Sequence, residues 1–190
     1  RLLLRLFPTE PEIMGLVALM LLQQSRAAAR FDEAGQVVLL EDQDRSLWSR
    51  GMIVEGLALL DKAMRHRTPG AYKVQAAIAA LHARAETAMA TDWVQIDQLY
   101  AALEQMTPSP VVTLNRAVAV SKTAGPEAAL AMIEPLAGQL SGYFYFHGAR
   151  GGFLKQLGRR GEARQAASSS SASDSGPKGS GGAAAPSRAA

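Results

Sequence analysis

The chain has 190 residues, 48% of them apolar and only 6% aromatic, and a formal net charge of +3. That length suits one domain with a real core, the abundant alanine favours closely packed helices over a sheet, and so small a charge makes no case for a nucleic-acid surface. With no cysteine in the sequence, disulfides, thiolate metal sites and cysteine nucleophiles are excluded, which fits a reducing cytoplasm.

Arg1 to Phe7 reads as the last turns of a helix, and the lack of an initiator Met marks the chain as a fragment or a trimmed form. Pro8 stops that helix. Thr9 and Glu12 have capping-box spacing and Pro11 suits a first helical position, so the next helix is expected from Pro11 to about Ala29. Its expected buried residues include Ile13, Val17, Met20 and Leu21. The longest apolar run, Ile13 to Leu22, reaches about half the length of a bilayer crossing, and no small-residue cleavage site follows it. A soluble, cytoplasmic protein is expected. Asp32 to Gly35 forms a turn, and Val37 to Leu40 a short strand, with a possible β-hairpin near residues 29–40.

The densest charged cluster follows, in the stretch VVLLEDQDRSLW from Val37 to Trp48. Asp42 or Asp44 is placed to cap a long helix from Gln43 to His66, with Arg45 beside them and Trp48 as its core anchor. Ile53, Val54, Leu57, Leu60 and Met64 give that helix an apolar stripe. The alternative, a hard-cation site on Glu41, Asp42 and Asp44, lacks a second acidic cluster to complete its oxygens. Thr68, Pro69 and Gly70 end the helix.

From Ala71 the chain repeats. The segments starting at Val74, Leu114 and Ala149 recur at spacings of 40 and 35 residues. Each lies on the first helix of a pair: Ala71 to Glu86, Pro110 to Lys122, and Tyr143 to Leu157. The partner helices are Asp92 to Met106, Pro126 to Ala137, and a stub from Gly161 to Ala167. Thr91, Ser109 and Gly125 stand at helix starts. Gly148, Gly151 and Gly152 weaken the last pair. The pattern predicts an all-α, right-handed solenoid of antiparallel helical hairpins over residues 1–167. A Ser/Gly/Ala-rich tail, residues 168–190, is expected to be disordered.

Several separate motifs in this order carry a resemblance. They are LLEDQDRSLW with the R-x-x-I-x-E-G-L-x-L-L run from Arg50 to Leu60, QAAIAALHA from Gln75, TDW from Thr91, PSPVVTLNRAVAV from Pro108, GPEAAL from Gly125 and LGRRGEA from Leu157. Together they resemble the C-terminal, tetratricopeptide-like extension of bacterial RNA polymerase sigma factors of the extracytoplasmic-function type. Sigma regions 2 and 4 have no counterpart in this sequence. The resemblance implies that the intact protein binds core RNA polymerase and reads promoter DNA through those missing regions. This portion would contact the sigma regions or a regulatory protein or peptide.

No catalytic constellation is legible. His66, His82 and His147 fall in three different helical units, and no HExxH, phosphate loop or nucleophile elbow occurs. His82 is expected as a hydrogen-bonded interior residue, and the aromatic run from Tyr143 to Phe146 as core. No cofactor is expected. In arrays of this type the first helices line a concave groove, where Gln75, Asn115 and Arg150 would form a row with Lys73 and Arg116 beside it. That row is the candidate peptide groove. Rival readings are a free-standing tetratricopeptide-like adaptor and, more distantly, a helical enzyme gathering Glu41, Asp44, Arg45 and His82.

Overall fold

The computed structural model describes residues 2–174, which are helical apart from turns, loops and one isolated bridge. A short helix, α1 (Leu2–Leu6), leads into α2 (Pro11–Gln24), which packs on both α3 (Arg50–Met64) and α4 (Ala71–Arg84). Beyond them, α5 (Trp93–Met106) packs on α4 and on α6 (Pro110–Thr123). α6 in turn packs on α7 (Pro126–Ile133), and α8 (Phe144–Gln156) pairs with α9 (Arg160–Asp174) while touching α6 and α7. Each helix thus packs chiefly on near neighbours in the chain.

The expected start of α2 is right but its cap is not. Glu10 precedes the helix without a side-chain cap bond. The Glu12 carboxylate leaves the capping box and instead accepts the N–H groups of Tyr72 (3.0 Å) and Lys73 (3.2 Å). It therefore caps α4, whose own cap position is Gly70 and supplies no side chain. The two helices meet closely because a Cβ at Gly15 would stand 2.8 Å from the Lys73 backbone nitrogen. This contact turns α2 from the expected orientation. Met14, Val17, Ala18 and Leu22 are buried, whereas Met20 is 56% exposed. After Gln24 the chain passes through Ser25 and Arg26 into a 3₁₀ turn at Ala27–Ala29, so the helix ends short of Ala29.

The hairpin near 29–40 contracts to a single antiparallel bridge between Phe31 and Val37. Asp32 holds the turn by accepting the N–H groups of Ala34 and Gln36. Among the described residues there is no extended strand.

The long helix expected from Gln43 is interrupted. Asp44 accepts the Ser46 N–H and caps a 3₁₀ turn, Arg45–Leu47. Trp48 is extended, and Ser49 then caps α3. Gly56, Leu60 and Ala63 form the buried face of α3, while Val54 and Met64 point outward. Small residues win that face because Leu22 sits where a Cβ on Gly56 would come within 3.0 Å of it.

Helices α4, α5, α6 and α8 begin and end within two residues of expectation, whereas α7 ends at Ile133, four residues before the expected Ala137. Asp92, not Thr91, caps α5 by accepting the Gln95 N–H, and Ser109 caps α6. A 3₁₀ turn, Glu134–Leu136, extends α7. The final helix exceeds the expected stub: α9 continues through residues 168–174, and the rest of the expected tail, 175–190, lies outside the described residues. In the aromatic run, Phe146 is buried, but Phe144 and Tyr145 are exposed.

Candidate binding cavity

The expected row of free polar and basic grips does not survive folding. Lys73 is only 3% exposed, and its ammonium donates to the Thr68 carbonyl and hydroxyl. Arg116 is clasped by Asp97 (2.7 Å) and Glu104 (2.8 Å), whose hydrogen bonds raise its pKa further. Arg150 donates to Glu134 at 2.9 Å. Acidic side chains from other elements, invisible in a one-helix reading, thus neutralise Arg116 and Arg150, while Thr68 occupies Lys73.

Gln75 and Asn115 remain. Neither side chain makes a hydrogen bond within the described residues, and both line one cavity of about 330 Å³. It opens where α4 and α6 stand apart while α5 bridges them. Its walls are apolar, from Leu19 and Leu22 on α2, Ile78 on α4, Leu103 on α5, and Val111 and Val112 on α6. Gln23, Arg26, His82, Tyr100 and Ser109 supply further polar groups, and no Asp or Glu lines it.

Arg26 was not anticipated as a site residue. It lies just past the end of α2, which stops short of the expected Ala29. In the fold it is partly buried, donates to the Gln23 side chain, and forms no ion pair among the described residues. Burial lowers its pKa, and the neighbouring Arg30 lowers it further. Burial likewise raises the Tyr100 phenol above its usual range. The His82 ring meets Trp93 edge-on, with centroids 5.2 Å apart, in place of the expected hydrogen bond. Burial first, then the charges of Arg26 and Arg45, push its pKa down to about 4, so the imidazole is neutral at physiological pH.

The segment from Glu41 to Trp48 braces this cavity. Arg45 donates to the carbonyls of His82 and Ala85, satisfying the C-terminal end of α4, and its guanidinium lies 4.6 Å from the Trp48 ring centre. Trp48 is 5% exposed and forms part of the cavity wall. Glu41 reaches α6 through a 2.6 Å ion pair with Lys122. Asp42 makes no cap bond, and Asp44 serves only its own turn. Among the described residues, no three His, Asp or Glu side chains converge to hold a metal ion. No described helix is long and apolar enough to cross a membrane.

Residues 1–64 match a protein family described as a family of unknown function (DUF6596). The chain is also 75% identical over 166 residues to the uncharacterized protein R00370 of Rhizobium meliloti (strain 1021). That match covers 87% of this chain but only 39% of the relative, so the chain spans well under half of the relative's length. No solved structure matches it.

Proposed function

We propose that this chain is the C-terminal, tetratricopeptide-like regulatory domain of an extracytoplasmic-function sigma factor, acting through protein contacts in transcription initiation. The observation that carries the reading is the serial packing of the helices. α2 with α3, α4 with α5, α6 with α7, and α8 with α9 pair in chain order, and α2 packs on α4 as α6 touches α8. Stacked hairpins pair their helices in this serial order, although here α4 and α6 stand apart across the cavity. The serial order runs through the same motifs that resemble the sigma-factor extensions. The length of the Rhizobium relative beyond the match leaves room for sigma regions. The apolar surface of α1, where Leu2 and Leu6 are more than 60% exposed, offers a contact for such a neighbour.

In this reading the intact protein binds core RNA polymerase and the missing sigma regions read the promoter. The test is to read the gene upstream of the Arg1 codon and to assay the full-length protein with core polymerase in run-off transcription. Two sigma regions upstream and promoter-dependent transcripts are the expected result. An unrelated upstream domain, or full-length protein that directs no transcript, overturns it. The chain alone should show no preference for promoter over scrambled duplex at any salt concentration.

A further inference from the structure

We infer that the cavity between α2, α4, α5 and α6 is a binding site for a small carboxylic acid with an apolar body, and that Arg26 is its counter-ion. Three observations converge on that ligand. The first is an uncompensated cation: Arg26 is partly buried beside the cavity, its one side-chain partner is the neutral Gln23, and the lining contains no carboxylate. Arg45 adds positive charge nearby while engaged only with backbone carbonyls and the Trp48 ring. A buried charge without an opposite partner is costly, and a bound carboxylate removes that cost through two parallel hydrogen bonds to the guanidinium.

The second observation is the wall. Leu19, Leu22, Ile78, Leu103, Val111 and Val112 give an aliphatic surface that favours a hydrocarbon body over a phosphate or a sugar. The third is size and opening. About 330 Å³ lies at the lower end of ligand cavities, enough for a compact acid but not for an extended chain segment. The unbonded amides of Gln75 and Asn115 can reach the carboxylate or a second polar group of the ligand from α4 and α6. A ligand held this way would bridge two helices that do not otherwise pack closely. Occupancy would stiffen the junction between the two halves of the chain. This inference stands apart from the sigma-factor reading, and neither fails with the other.

The test titrates the whole chain with hexanoate, octanoate and 3-phenylpropanoate, each beside its uncharged amide. Binding is followed through Trp48 fluorescence, the side-chain amide signals of Gln75 and Asn115, and the melting temperature. At least one acid should bind and raise the melting temperature, with its amide about tenfold weaker or worse. Arg26→Met should abolish the preference for acid over amide, and Arg26→Lys should keep part of it. Ala79→Leu, which narrows the cavity without touching Arg26, should weaken acid and amide alike and stands in if Arg26→Met fails to fold. Equal binding of acid and amide, an unchanged preference in Arg26→Met, or no response to any of the three acids at about 10 mM overturns the inference. So does tighter binding, at the same residues, of a capped Ser-Leu-Glu-Leu-Ser peptide, because the occupant would then be a polypeptide.

Discussion

At the scale of single residues, the groups that matter most are those that fold into company a linear reading cannot supply. His82 is the clearest. Its pKa falls from 6.5 to about 4 in the folded chain, because burial and the charges of Arg26 and Arg45 disfavour the imidazolium. Between those two values the unfolded chain binds the proton and the folded chain does not, so stability rises with pH across that window. His82 therefore contributes nothing destabilising above about pH 6.5, and destabilises progressively as pH falls toward about 4, by about 2–3 kcal/mol in all. His82→Phe should remove that component. In denaturant melts from pH 7 to pH 4 the wild type should lose that much stability relative to His82→Phe, and parallel curves would show that His82 is solvated.

Which of these residues were legible follows from the range of their interactions. Trp48 was, since a large aromatic residue beside a helix start is an anchor whatever its neighbours, and it is buried. For Gln75 and Asn115 the spacing of the repeated segments set them on α4 and α6, and that both line one cavity was not readable from it. Arg116 and Arg150 looked like free grips because Asp97, Glu104 and Glu134 sit 12 to 19 residues away, on other elements. Arg26 was missed for the same reason in reverse: nothing local says that a residue after a helix end turns inward. Glu12 had the right spacing for one cap and serves another about 60 residues on. Short-range chemistry was readable, and choices between local and distant partners were not.

At the scale of elements, the helix starts set by Pro11, Pro110 and Pro126 held and the one set by Asp42 or Asp44 did not. The buried faces of α2 and α3 follow close approaches at Gly15 and Gly56. α8 is an informative case because it carries three glycines yet remains helical. Gly151 faces α9, where an added Cβ would lie 3.6 Å from Ala163 and Ala166, an ordinary contact. Gly148 and Gly152 face open space, with nothing within 4 Å of an added Cβ. Neither has a positive φ, so glycine there brings only the entropy loss of ordering a permissive residue. Gly148→Ala and Gly152→Ala should each stabilise by about 0.4–1 kcal/mol. The measure is the urea midpoint of the single and double variants. A drop on substitution would mean that these positions need glycine for a partner that covers α8.

At the scale of the whole molecule, the buried residues divide into three groups that follow the chain. Ala18, Leu22, Leu60, Ala76 and Ala80 join α2, α3 and α4. Leu114, Leu130, Ile133, Phe146, Phe153 and Leu154 anchor a larger group across α6 to α9. Among the described residues, Ile78, Ile96 and Ala119 make a smaller buried group between them, beside the cavity. Where helices pack chiefly on near neighbours in the chain, each part is stabilised by those beside it and distant parts are weakly coupled. Local opening should therefore respect the boundary at α5. Phe153→Ala removes a large side chain that is 4% exposed from the larger group and should cost about 3–5 kcal/mol there. Amide hydrogen exchange should then accelerate in α8 and α9, and partly in α6 and α7, while the slowest amides of α2 and α4 keep their wild-type rates. Ile96→Ala, in the junction, should instead lower protection on both sides. If Phe153→Ala accelerates exchange evenly from α2 to α9, the chain unfolds as one unit. The slender junction would then transmit the full stability of each half to the other.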